Sequence, residues 1–139
     1  MKIFNKKILT IIMSIICILV VASTWLFNLG WLRLFMSAVV IPHSVIFVFM
    51  NLYSAKYFDK SKKVKMLNVI FVFTFLIAYV FMPDSSDINS YGFWGLIHDE
   101  QILNVAELIS TIGFIVHITT FVIQLLQTEK IKKISKENK

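Results

Sequence analysis

ILTIIMSIICILVVASTWLF, residues 8–27, is a run of twenty residues without a charged side chain. At 1.5 Å per residue such a helix is about 30 Å long, the thickness of the hydrocarbon core of a bilayer. Three more runs of comparable character follow at residues 34–55, 66–82 and 103–127, and the shortest of them has 17 residues. The chain of 139 residues is 58% hydrophobic, with a mean hydropathy of +0.77. A soluble domain this small keeps too much of its surface in water to hide that composition. The expected fold class is therefore an all-α membrane protein: one four-transmembrane-helix bundle over residues 1–139. Its long connection at 83–102 joins helices 3 and 4, and a tail follows at 128–139. The opening MKIFNKK and the small residues near Val20 and Ala22 imitate a signal peptide. The apolar run continues through Trp25 and Phe27, however, and reads as an uncleaved first helix.

Charge supplies the expected orientation. If four helices alternate, all thirteen lysines fall on one side, at the N-terminus, between the second and third runs, and in the tail. Three acids, Asp59, Glu129 and Glu137, join them and leave that side at +10. The opposite side carries Arg33 against Asp84, Asp87, Asp99, Glu100 and Glu107, a balance of −4. Short basic loops stay in the cytoplasm, so this positive-inside pattern puts both termini (N-in, C-in) in the cytoplasm of a cell-membrane, multi-pass protein. The net charge of +6 follows from insertion and does not argue for nucleic acid. Its second expected effect is attraction of the Lys-rich loop and tail to anionic inner-leaflet lipid. The tail itself, with Ile131 and Ile134 among lysines, fits either a short helix on the membrane surface or a solvated end. Lysine dominance with abundant Ile, Phe and Asn points to an AT-rich bacterial genome. The one cysteine, Cys17, forms no internal pair, which excludes dithiol redox chemistry and stapled loops. It reads as a small apolar packing residue.

Polar residues inside a membrane turn toward protein or water, so their spacing marks buried seams. In the fourth run Ala106, Ser110, Gly113, His117, Thr120, Gln124 and Gln127 recur in alternating steps of four and three. That is the register of a left-handed packing seam lined with small and polar groups. A weaker seam occupies Ser14, Cys17, Val21, Thr24 and Asn28. The second run offers Ser37, Ser44 and Asn51 at sevens, beside His43. The third, with Asn68, Phe71, Phe75 and Ala78, is mostly aromatic and apolar. The expectation is that helices one, two and four enclose the polar interior, with helix four the most enclosed.

Inside VVIPHSVIF, residues 39–47, Pro42 removes a backbone donor and predicts a kink. His43 stands next to it. Counted from the same face, His43 is about 13 Å deep and His117 about 18 Å, so the two imidazoles approach one level. Facing imidazoles in a four-helix bundle suit axial ligation of haem b or another metal. The plainer expectation is that they satisfy hydrogen bonds within the bundle, with Ser44, Ser110 and Thr120 at hand. A third reading makes Glu107, His117 and Gln124 steps of a proton or ion path.

The connection at 83–102 is long for two helices, which marks it as a candidate functional element. PDSSD reads as turn chemistry. YGFWGLI is aromatic and suits a recognition surface, with Tyr91, Phe93, Trp94 and His98 as its candidate residues. Asp99 is placed to cap helix four, and Glu100 to favour its dipole. A divalent-cation site from Asp84, Asp87, His98, Asp99 and Glu100 has no recognised ligand spacing behind it.

No nucleophile–base pair, phosphate loop or HExxH pattern occurs, so nothing argues for an enzyme. The sequence thus reads as a small bacterial membrane protein acting by interaction, as an accessory subunit, sensor or immunity-type protein. Its partner surfaces would be the Tyr91–Ile97 loop and the helix-four seam, with a protein partner or a second copy as the bound molecule. The alternative is a haem-binding or proton- or ion-handling bundle built on His43, His117 and Glu107.

Overall fold

A computed structural model describes residues 2–27, 30–85, 90–92 and 96–137, with side chains from Ile8 onward except at Ser85, Ser90 and Tyr91. Four helices account for most of them: α1 (Lys2–Leu26), α2 (Trp31–Ala55), α3 (Lys62–Val80) and α4 (Glu100–Glu137). Each is long and apolar enough to cross a membrane. Contacts at their ends set their directions. Arg33, in the first turn of α2, reaches the carbonyl of Thr24 near the end of α1 and that of Met82 just past α3. At the far end Tyr53 of α2 donates to Glu129 of α4. Neighbours in sequence are therefore antiparallel, and the start of α1 and the end of α4 lie at one end of the bundle.

Local chemistry explains the boundaries. Ser61 starts α3 by accepting from the Val64 amide at 3.3 Å. Asp99 caps α4 as expected, accepting from the amides of Gln101 and Ile102 at 2.9 and 3.1 Å. Helix α2 passes through Pro42 without a break in its assignment. Helix α4 does not stop at the end of the apolar run. Its 38 residues continue through the lysine-rich tail, giving a rod of about 57 Å, roughly twice the hydrocarbon thickness. A separate surface helix is thus replaced by an extension of α4 that leans on the α2–α3 connection, with Lys60 donating to Ser135.

The long connection also holds more order than turns alone. Strands β1 (Asp84–Ser85) and β2 (Ser90–Tyr91) pair antiparallel, with Asp84 opposite Tyr91 and Ser85 opposite Ser90. Gly92 and Ile97 exchange two backbone hydrogen bonds, at 3.1 and 3.3 Å.

The expected faces hold on α1 and α4, in part on α2, and on α3, where Asn68, Phe71, Phe75 and Ala78 are all buried; the expected ranking of the helices does not hold. On α1, Ser14, Cys17, Val21 and Thr24 are all buried, and Asn28 lies outside the described residues. On α4 the buried set is Leu103, Ala106, Ser110, Gly113, His117, Thr120, Gln124 and Thr128, so the expected seam stands except that Thr128 replaces Gln127. On α2 the buried line is Arg33, Val40, Phe47, Met50, Asn51 and Ser54, while Ser37 and Ser44 are only half-buried. The most enclosed helix is α3, not α4. Its aromatic residues Phe71, Phe75 and Tyr79 form the centre of the core against Phe47 and Val40 of α2 and Cys17 and Val21 of α1. Polar spacing could not show this, because large aromatic rings can fill a bundle interior as well as face lipid.

Close approach of α3 and α4 depends on Gly113. A Cβ there would lie 2.6 Å from Ile77 Cγ2 and 3.1 Å from the Ala78 backbone nitrogen. Ser110, one turn away, donates to the Ala78 carbonyl at 2.6 Å. Small residues let helix backbones meet where lipid offers no hydrophobic drive for association.

Candidate functional site

His43 and His117 meet inside the bundle with their Nε2 atoms 3.2 Å apart. His117 is fully buried, and its ring stacks on Phe71 with centroids 4.3 Å apart and an interplanar angle of 11°. Its Nδ1 lies 3.0 Å from the Phe71 carbonyl oxygen and 3.1 Å from Thr74 Oγ1. The His43 Nδ1 bonds to the Tyr79 hydroxyl. Rings of Phe75, Tyr79 and Phe114 stand edge-on around His43.

This geometry fixes the direction of every hydrogen bond for two neutral rings. A carbonyl only accepts, so His117 Nδ1 carries the hydrogen and donates to Phe71. The Thr74 hydroxyl gives its proton to the Ile70 carbonyl at 2.8 Å and can accept a share from the same Nδ1–H. His117 Nε2 is then an acceptor, His43 Nε2–H donates to it, and His43 Nδ1 accepts from Tyr79 O–H. The chain runs from Tyr79 through both imidazoles to a backbone carbonyl, tying α2, α3 and α4 together.

A carbonyl cannot pass a proton onward, so the chain is closed at the Phe71 end. Glu107 is exposed on α4, off the buried seam, and is not part of the chain. His43 and His117 are the residues that would hold a haem iron or another metal, and their Nε2 atoms stand in direct hydrogen-bond contact at 3.2 Å.

The other expected residues of the interior are dispersed along the bundle. Gln124 is fully buried one layer further along α4 and donates to Ser54 at 2.7 Å and Asn68 at 2.9 Å. Thr120 is buried between these layers, and Ser110 belongs to the α3–α4 contact. Ser44 does not join His43. It lines an apolar groove between α1 and α2, together with Ile18, Val21, Trp25 and Val40.

At the hairpin end the chain assembles a group that polarity patterns missed. Arg33, counted above among the charges of the side opposite the lysines and ahead of the second run, is fully buried in α2. Its guanidinium donates to the carbonyls of Thr24 and, at 2.7 Å, Met82. It lies over the Trp25 ring at 5.8 Å, and its Nε is 3.8 Å from the carboxylate of the equally buried Asp84. That carboxylate accepts from the Gly30 amide and, at 3.4 Å, from the Arg33 amide, where α2 exposes unpaired donors. A Cβ on Gly30 would fall 2.7 Å from it. The signal in the sequence was that Arg33 is the only arginine among fourteen basic residues. A planar fork of donors suits a buried site that must satisfy several acceptors at once.

Of the recognition candidates, His98 is exposed, and so is Leu96, which was not among them. Tyr91 is described in its backbone only, and Phe93 and Trp94 lie outside the described residues, as does Asp87. The helix-four seam packs against α3 within the chain. Asp84 is committed to α2 and Asp99 to capping, and no three metal-ligating side chains cluster among the described residues. Comparison with protein-family models, curated proteins and solved structures finds no match to this chain.

Proposed function

We propose that this protein is a small multi-pass bacterial membrane protein that works by interaction, through the hairpin end of its bundle. It has no catalytic role in this reading, and its lysine-rich end faces the cytoplasm. The observation that carries it is the clamp between Asp84 and the start of α2, which anchors β1 and, by strand pairing, β2. A segment ordered before it meets its partner loses less conformational freedom on binding. The Gly92–Ile97 bridge presents Leu96 at 80% exposure, an apolar side chain offered outward. The expected partner is another membrane protein, with this chain as accessory subunit, sensor or immunity-type protein. A photo-crosslinking residue at position 96 tests this in cells. A discrete adduct lost in the Asp84→Asn chain supports it, and adducts to lipid alone overturn it.

A second reading has the bundle handle a proton or ion at its interior pair, and the 3.2 Å Nε2 contact is what favours it. The closed end at Phe71 and the outward Glu107 weigh against through-conduction and toward binding.

A further inference from the structure

We propose that His43 and His117 form a two-coordinate site for a bare cuprous ion, with silver(I) as its non-redox equivalent. This stands apart from the interaction reading and needs only the interior pair. Both imidazoles turn Nε2 toward the same point, 3.2 Å apart. Each has its other nitrogen held: His117 Nδ1 by the Phe71 carbonyl and Thr74, His43 Nδ1 by Tyr79. Ligating imidazoles are typically oriented in this way, by a hydrogen bond from the ring nitrogen that does not bind the metal. With the ion bound, both Nε2 atoms are bare. His43 Nδ1 then carries its hydrogen and donates to the Tyr79 oxygen, reversing that bond, while the His117 bond keeps its direction.

The ligand number selects the metal. Among the described residues no third His, Cys, Asp or Glu joins the pair, so a zinc or ferrous ion would lack the three or more protein ligands it takes. A d10 monovalent ion accepts two ligands in line. It also brings a single positive charge into the buried site, half of what a divalent ion would bring, and Phe71 and Phe75 pack against the His117 ring there. At about 2 Å per metal–nitrogen bond the Nε2 atoms must part by roughly 0.8 Å from their 3.2 Å contact. The neighbouring turn can yield, since Pro42 donates no backbone hydrogen bond there.

The test uses the full chain in detergent, carrying Cys17→Ser to remove the competing thiol. Anaerobic titration with cuprous ion against a colorimetric chelator should give one ion per chain. X-ray absorption should then show two nitrogen neighbours and no sulfur. In His43→Leu and His117→Leu the bound ion should be lost, at least tenfold in affinity, while Glu107→Gln and His98→Gln bind as the parent does. If the leucine variants do not fold, silver(I) should instead shift the ring-nitrogen NMR resonances of two of the three histidines in the parent chain and leave the third, the exposed His98, unchanged. No uptake by the parent, uptake that survives loss of both histidines, or a coordination shell of three or more ligands overturns the site. Failure here leaves the crosslinking result at position 96 untouched, so the two readings fall separately.

Discussion

Asp84 caps the helix whose first turn holds Arg33, and the same carboxylate faces the guanidinium with Nε 3.8 Å away. The two residues are 51 apart in sequence. One acid thereby satisfies exposed amides of α2, balances a buried cation and fastens the hairpin to the bundle. Removing it leaves the cation without its counter-charge. Asp84→Ala should cost about 3–5 kcal/mol, as expected for one half of a buried pair. Arg33→Met combined with Asp84→Leu should cost less than the two single changes together. Reversible unfolding in mixed micelles measures both.

Gly113→Ala is expected to destabilise the bundle by about 1–3 kcal/mol through overpacking against α3. The nearest obstacle is the Ile77 side chain at 2.6 Å, with the Ala78 backbone nitrogen at 3.1 Å behind it. Ile77→Ala should therefore recover part of the loss and not all of it. Full recovery in the double variant would show that the backbones are not in close contact.

Tyr79→Phe removes the donor to His43 Nδ1 and keeps the ring. Because His43 then faces an unpartnered nitrogen inside the bundle, stability should fall by about 0.5–2 kcal/mol. A double-mutant cycle with His43→Leu should yield a coupling of about 0.6 kcal/mol and no more than about 1.7, the range found for hydrogen bonds between membrane helices. A coupling near zero would mean that the chain of bonds through the two imidazoles does not hold.

At the end where α1 begins and α4 finishes, Glu129 accepts from Tyr53 and pairs with Lys132 at 3.2 Å. The Tyr53 hydrogen bond, then the one from Lys132, hold its carboxyl below the ordinary carboxylate range. A carboxyl held low in the folded state stabilises it above the unfolded pKa and loses that contribution as pH falls through the folded one. Wild type should thus exceed Glu129→Gln in melting temperature at neutral pH, and the gap should close on acidification. The difference is expected to be small, since the pair is solvent-exposed and screened. A gap that widens toward acid would reverse the assignment.

Orientation has a simple readout, because the one native thiol, Cys17, is buried. Leu96→Cys, at the hairpin end, should react with an impermeant maleimide in intact cells. Lys63→Cys, at the lysine-rich end, should react only after lysis. The opposite labelling pattern would invert the topology drawn from the charges.

Four spans, their order and the buried faces of α1 and α4 were legible in the residues themselves. Length against bilayer thickness is a one-dimensional quantity, and lipid penalises polar side chains on any helix that turns them outward. Seams at Ser14–Thr24 and Ala106–Gln124 follow directly from that penalty. The approach of His43 and His117 could also be anticipated from depth counting, though not their 3.2 Å contact. Tertiary structure alone decided the rest. Apolar and aromatic residues pay no penalty on either side of a membrane helix, so α3's central place and the Val40–Phe47 face of α2 left no trace in polarity. Arg33 and Asp84 looked like loop charges because each lies at a helix or strand end, and only the folded bundle carries them into contact. Sequence states which groups cannot face lipid. Which partner each one finds is set by helix packing, through distances that span fifty or seventy residues of chain.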